Sequence, residues 1–307
     1  MARLDDAVTA LVRTRLATAT TRMSAAVRPA LSEFDLVHGL TGLGVYLLRC
    51  DPHNELLGEI LRYLVRLAEP IPANDGIGLR APGWWTSDAP AGRPIGRFAG
   101  GHANLGMAHG IAGPLALLSL ALRHGVVVDG HAAAIAMICD WLDAWRQPSP
   151  TGPWWPQYID SYELAAAHPN HPGPGRPSWC YGTPGLTRAQ QLAGLAVGDT
   201  ARQLMAEDAL RRCLADDTQL ARIIDPALCH GWAGLLATTW CAAADARSPE
   251  LSAHLPHLLN ALLGHLDTAP NQALAGLIDG AAGVALALDS IARGDPDEAW
   301  LTALLLN

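Results

Sequence analysis

Five copies of one short pattern set the strongest limit on how this chain can fold. They are Val37-His38-Gly39-Leu40-Thr41-Gly42, Ala108-His109-Gly110-Ile111-Ala112-Gly113, Cys180-Tyr181-Gly182-Thr183-Pro184-Gly185, Cys229-His230-Gly231-Trp232-Ala233-Gly234 and Ile278-Asp279-Gly280-Ala281-Ala282-Gly283. Each is G-x-x-G followed by an apolar segment such as Pro114-Leu115-Ala116-Leu117-Leu118. Self-similarity of this kind points to a repeated supersecondary unit. The segments after the glycines are apolar nearly all round, the mark of a buried helix. They are too short to cross a membrane. Between them, residues 55–69, 132–145, 201–214 and 251–266 are apolar on one side only, as with Leu56, Ile60, Leu64 and Leu67. Buried helices alternating with half-buried ones predict an all-α fold, an α/α-barrel (toroid) with an inner ring of helices wrapped by an outer ring. No convincing set of period-two strands competes with that reading.

Residues 1–30 read as one N-terminal helix. No change of composition or linker divides the remainder, so 31–307 is expected to be a single domain. Two connections break the rhythm. Residues 70–103 and 147–177 are rich in Pro, Gly and Trp, as in Pro82-Gly83-Trp84-Trp85 and Gly152-Pro153-Trp154-Trp155-Pro156. Long loops tend to be functional. These either wall a substrate groove or cover the open end of the ring.

The paired glycines fall where an inner helix begins, allowing close backbone approach and unusual dihedrals. The residue before the first glycine is then placed on the rim: His38, His109, Tyr181, His230 and Asp279 in turn. Helix N-termini gathered there favour an anionic group.

Charge and cysteine content narrow the function. The net charge is −8, with 29 acidic against 21 basic residues, all of the latter Arg. That balance argues against a nucleic-acid partner, which needs a basic face. The start, Met1-Ala2-Arg3-Leu4-Asp5-Asp6, lacks the apolar core of a signal peptide, and no apolar run is long enough for a membrane span, so a cytoplasmic protein with reduced thiols is expected. The six cysteines are far apart, unlike a disulfide framework. Cys50, Cys139, Cys213 and Cys241 lie in apolar helical patterns and read as buried small hydrophobes. Cys180, Cys229 and His230 differ. They open two similar repeats and form a three-point cage for zinc, and an open fourth position is usual in catalytic sites. No C-x-x-C pair exists to close a structural site.

Taken together these motifs resemble the lanthionine synthetase C-like family, the cyclases of lanthipeptide biosynthesis. Asp35-Leu36-Val37-His38-Gly39 through Gly44 is similar to one family repeat, and Asn104-Leu105-Gly106-Met107-Ala108-His109-Gly110 to the next. Trp179-Cys180-Tyr181-Gly182 and Cys229-His230-Gly231 are similar to its zinc signature, and residues 300–306 to its ending. The resemblance implies a ring of seven repeats, of which about five are present; two at the front are missing, which implies an open arc with exposed apolar edges.

It also implies Zn²⁺ held by Cys180, Cys229 and His230, and a peptide cysteine added as thiolate to dehydroalanine or dehydrobutyrine in a dehydrated precursor peptide. His109 would protonate the resulting enolate, or else it caps a helix. Asp35 would orient or charge-balance His109, or else it is a plain N-cap. Arg176, four residues before Cys180, would stabilise the enolate oxygen, or else it is a surface arginine. Tyr181 follows the first cysteine and would hydrogen-bond near the site. A dehydratase is a further expected partner. Three other readings stay open: a non-catalytic zinc protein that binds a leader peptide or partner enzyme, a protein prenyltransferase-like zinc enzyme, and glutathione addition to dehydroamino acids.

Overall fold

The structure, a computed structural model, describes residues 2–72, 80–90, 96–268, 275–294 and 299–307. Parts of the first long connection, 73–79 and 91–95, therefore lie outside the described residues. Helix makes up 60% of the structure and strand 4%, which settles the all-α class. Two compact units emerge: Met1–Trp145 with Pro156–His171, and Arg146–Trp155 with Pro172–Asn307.

In the first unit a long helix, Ala2–Ser24, packs on Leu40–Cys50 and Glu55–Ala68. The Ala112–Arg123 helix follows, packed against Leu40–Cys50, and His131–Ala144 packs on Glu55–Ala68. The division between all-round and one-sided burial follows the sequence. Ala112 through Ala121 are all buried. In Glu55–Ala68 the buried set includes Leu56, Ile60, Leu64 and Leu67, the expected stripe. Asn54 caps that helix, its side chain accepting from the Leu56 N–H at 3.0 Å.

The second unit repeats the scheme. Thr183–Val197 packs on Thr200–Leu214, and Trp232–Asp245 packs on Thr183–Val197, Leu255–Thr268 and Ala281–Arg293. Trp232 through Thr239 are buried without a break. Thr183–Val197 departs from the apolar rule: Arg188, Gln190 and Gln191 are buried within it. Arg188 donates to the Leu306 carbonyl (2.9 Å) and to Asp245 (2.8 Å), so its charge is paired and it fastens the chain's last residues to the helix.

The double glycine has a local cause. At Gly42, Gly185, Gly234 and Gly283, a Cβ would collide with the carbonyl oxygen of the residue six positions earlier: Leu36, Trp179, Leu228 and Leu277. At Gly39, Gly182 and Gly231 it would strike the backbone nitrogen four positions earlier. These glycines serve close approach alone. The expectation of unusual dihedrals fails, since Gly39, Gly182, Gly231 and Gly280 have φ of −99°, −93°, −105° and −138°. All four are N-cap residues; in the second repeat the helix starts two residues beyond Gly110.

Successive repeat heads are joined by main-chain hydrogen bonds. In the first unit the Leu36 N–H donates to the Ala108 carbonyl (3.1 Å). In the second the Cys180 N–H donates to the Cys229 carbonyl (3.2 Å), and the Cys229 N–H to the Ile278 carbonyl (3.0 Å).

The long connections hold short strands that the sequence reading did not expect. Ile71–Pro72 pairs antiparallel with Arg80–Ala81, and His102–Asn104 with Tyr158–Asp160. Two or three residues are too few for an alternating pattern to register. Their tryptophans are buried: Trp84 stacks edge-on against Trp141 at 5.2 Å in the first unit, and Trp154 and Trp155 are also buried in the second. Cys139, Cys213 and Cys241 are buried as expected, but Cys50 is exposed at the end of its helix. No described helix is long and apolar enough to cross a membrane.

Candidate functional site

Two clusters of titratable side chains sit at repeat heads, one in each unit. In the second unit the loop before Thr183–Val197 is a tight turn, in which the Gly182 N–H donates to the Ser178 carbonyl at 3.0 Å. Within it the buried Trp179 indole donates to the Leu304 carbonyl at 3.0 Å. That anchor positions Cys180. The neighbouring turn begins at Asp225, whose Oδ1 accepts the Ala227 N–H (3.0 Å) while its carbonyl accepts the Trp232 N–H (3.1 Å). Cys229 and His230 project from this turn.

Cys180 lies beside Cys229, its N–H donating to the Cys229 carbonyl at 3.2 Å, but its sulfur falls outside the group of donor atoms within 4.8 Å of one another that Cys229 and His230 share. The Ser178 hydroxyl lies 3.6 Å from the Cys180 sulfur. Cys180 is pushed down to about 6, first by the neighbouring Cys229 thiol, against burial, and then by Ser178, His230 and Arg176. Cys229 is pushed up, first by the neighbouring Cys180, then by burial and the charge of Asp279. The pair thus gives up one proton readily and retains the second.

His230 is oriented by a residue the sequence reading missed: its Nδ1 donates to Asp225 Oδ2 at 2.9 Å, leaving Nε2 free to face a ligand. Arg176 reaches the same carboxylate oxygen at 3.6 Å. Cys229, His230 and Asp279 each bring a donor atom within 4.8 Å of the others. Asp279, known from the sequence only as a rim residue, is therefore part of this cluster. Tyr181 follows Cys180 half-buried, its N–H 3.4 Å from Ser178 Oγ.

The donor chemistry fits zinc. Two thiols and one imidazole are the soft and borderline ligands that zinc selects. A thiol pair that holds back its second proton is also what a divalent cation would complete.

The first unit's cluster has no sulfur. Asp35 is buried, with 1% of its surface exposed. It is the C-cap residue of the short helix Leu31–Phe34, and Gly39 caps the next helix, so the N-cap alternative for Asp35 does not hold. Its Oδ1 accepts the His38 N–H and its Oδ2 accepts from His109 Nδ1, each at 2.6 Å. The His38 and His109 rings stack with centroids 5.8 Å apart. The capping alternative for His109 also fails, because Ile111 is the N-cap and its ring bonds Asp35 instead. His38, given no role in the sequence reading, joins the cluster; only its rim position hinted at that.

The chain matches a known family over nearly its whole length. The model of the family described as lanthionine synthetase C-like protein matches residues 3–305. The nisin biosynthesis protein NisC of Lactococcus lactis subsp. lactis is 24% identical over 212 residues, covering 66% of this chain and 48% of NisC. The chain thus spans about half the length of that curated relative. Among solved structures, nisin cyclase superposes with a TM-score of 0.77 at 21% identity, over 94% of this chain and 70% of that one. This likeness shows a shared fold.

Proposed function

The chain belongs to the lanthionine synthetase C-like family, and on that premise we propose that it is a zinc-dependent cyclase that forms thioether rings in a dehydrated precursor peptide. The observation that carries this reading is the gathering of Cys229 and His230 donor atoms in one group, with Cys180 fastened to Cys229 through the main chain and the far nitrogen of His230 already committed to Asp225. Cys180, Cys229 and His230 would hold the metal. Zinc, when bound, supplies the Lewis acidity that keeps a peptide cysteine as its nucleophilic thiolate at neutral pH.

The remaining chemistry falls to the chain's own side chains. The reaction adds S–H across a C=C bond: the sulfur bonds the β-carbon, the π electrons move to an enolate, and the α-carbon takes a proton. His109 is assigned that proton. With Nδ1 donating to buried Asp35, its Nε2 is the atom that delivers it, and Asp35 steadies the charged imidazolium as it forms and discharges. Arg176, paired with Asp225, retains further N–H groups to stabilise the enolate oxygen. Tyr181 is a further hydrogen-bonding residue beside Cys180. Asp225 is a positioning residue, acting through His230 and Arg176.

The test pairs metal content with turnover. Wild-type protein and Cys229→Ala are incubated with zinc and a dehydrated peptide bearing a free cysteine, and free thiols are counted by alkylation and mass. Wild type should carry one zinc and consume the thiol; the variant should lose both. Stoichiometric zinc with every thiol persisting would leave a peptide-binding protein in place of an enzyme.

A further inference from the structure

Asp279 stands where the three-ligand reading leaves a gap. It shares the 4.8 Å donor group with Cys229 and His230, but it differs from them in exposure: the cysteine and histidine are partly buried, and the carboxylate is exposed. Its position is not accidental. The preceding carbonyl, of Ile278, accepts the Cys229 N–H at 3.0 Å, so the main chain fixes Asp279 beside the ligand loop. Among the described residues its carboxylate makes no hydrogen bond or ion pair that would hold it elsewhere.

We propose that Asp279 is the fourth, exchangeable zinc ligand of the resting protein, and that the substrate thiol takes its place. This rests on the zinc reading above. Three physical points favour it. Zinc in a closed site takes four ligands, and oxygen from a carboxylate is an ordinary one. A soft thiolate displaces a harder carboxylate when both are within reach. The exchange also conserves charge: the arriving sulfur brings one negative charge, the departing carboxylate removes one, and the thiol proton passes to buffer. Of the ligands, the solvent-facing one is the first that an incoming peptide meets. In this arrangement Asp279 protects the metal between turnovers and competes with weak thiols.

Cobalt(II) loaded in place of zinc tests this, with N-acetylcysteine methyl ester as the thiol probe. Wild type, Asp279→Asn and Asp279→Glu are compared by chelator competition, by the intensity of the cobalt d–d bands, and by the sulfur-to-cobalt charge-transfer band during thiol titration. Asp279→Asn should hold cobalt more weakly, by roughly tenfold, yet bind the thiol several-fold more tightly, because the competing ligand is gone. Asp279→Glu should restore wild-type behaviour in part. A residue with a merely structural role would weaken metal and thiol together or move neither, and either outcome overturns the proposal. If wild type itself shows no sulfur-to-cobalt band, the metal reading fails and this one with it. A normal wild-type band with an unchanged Asp279→Asn variant sinks this inference alone.

Discussion

The two units solve one problem with different materials. Each has a histidine just before the first glycine of a repeat, and each turns the Nδ1 of that histidine toward an aspartate: His109 to Asp35 at 2.6 Å, His230 to Asp225 at 2.9 Å. Around them the surroundings diverge. Asp35 is 1% exposed and takes a second bond from the His38 backbone, whereas Asp225 is 27% exposed and shares its charge with Arg176. The second unit adds two thiols and a carboxylate, and the first adds a stacked imidazole. Under the proposed function the same carboxylate–histidine pair delivers a proton in one setting and holds a metal in the other, and the neighbours decide which.

The sharpest way to break this comparison is to exchange the two losses. His109→Asn should cut cyclisation by about 10²–10⁴-fold while zinc content, read by elemental analysis, stays at wild-type level. Cys229→Ala should abolish both. Loss of zinc from His109→Asn would show that the clusters are not independent.

Acid should separate the units next. Burial lowers His102, in the first unit, to about 4. Both its ring nitrogens lack a hydrogen-bond partner. Between pH 6.5 and 4 the unfolded chain binds a proton there and the folded one does not, so stability falls as pH falls through that window. The loss is on the order of 3 kcal/mol. Hydrogen exchange of first-unit amides should quicken over that range, and His102→Phe, which keeps a ring against Phe98 and Tyr158, should flatten the response. An unchanged acid response in the variant would assign it elsewhere.

Asp225→Asn probes the pair itself. It should weaken zinc binding by about 10–100-fold in a chelator titration while leaving helix content intact. Asp35→Asn should leave the same titration unmoved. The smallest effect is a matched glycine control. Gly264 lies exposed in its helix, where a Cβ would meet nothing within 4 Å, so Gly264→Ala should stabilise by about 0.5–1 kcal/mol. Gly234→Ala, driven into the Leu228 carbonyl, should instead lower the midpoint of thermal unfolding.

The parts of this architecture that could be read from the sequence are those whose cause is local. A glycine obliged by a carbonyl six residues back leaves its mark within one short window, and so does an apolar stripe such as Leu56, Ile60, Leu64 and Leu67. Cys180, Cys229 and His230 were visible because they occupy equivalent places in similar repeats. Asp225 was not, since in Ile224-Asp225-Pro226 it looks like any loop breaker; its nearness to a Cys-His pair was the only signal. His38 and Asp279 stood at the rim in the sequence, but their partners come from other repeats. The three-residue strands and the buried Arg188 depend on tertiary neighbours that no local pattern encodes.

The main-chain hydrogen bonds from Cys180 to Cys229 and from Cys229 to Ile278 use only N–H and C=O groups. Side chains at those posts are therefore passengers on the fastening, free to be replaced without loosening it. A lineage could trade sulfur for a hydrocarbon there, as Ile278 and Ala108 do, and keep its scaffold while gaining or shedding a metal. New chemistry in such a protein would begin with one substitution at a head, and the framework would already be in place to receive it.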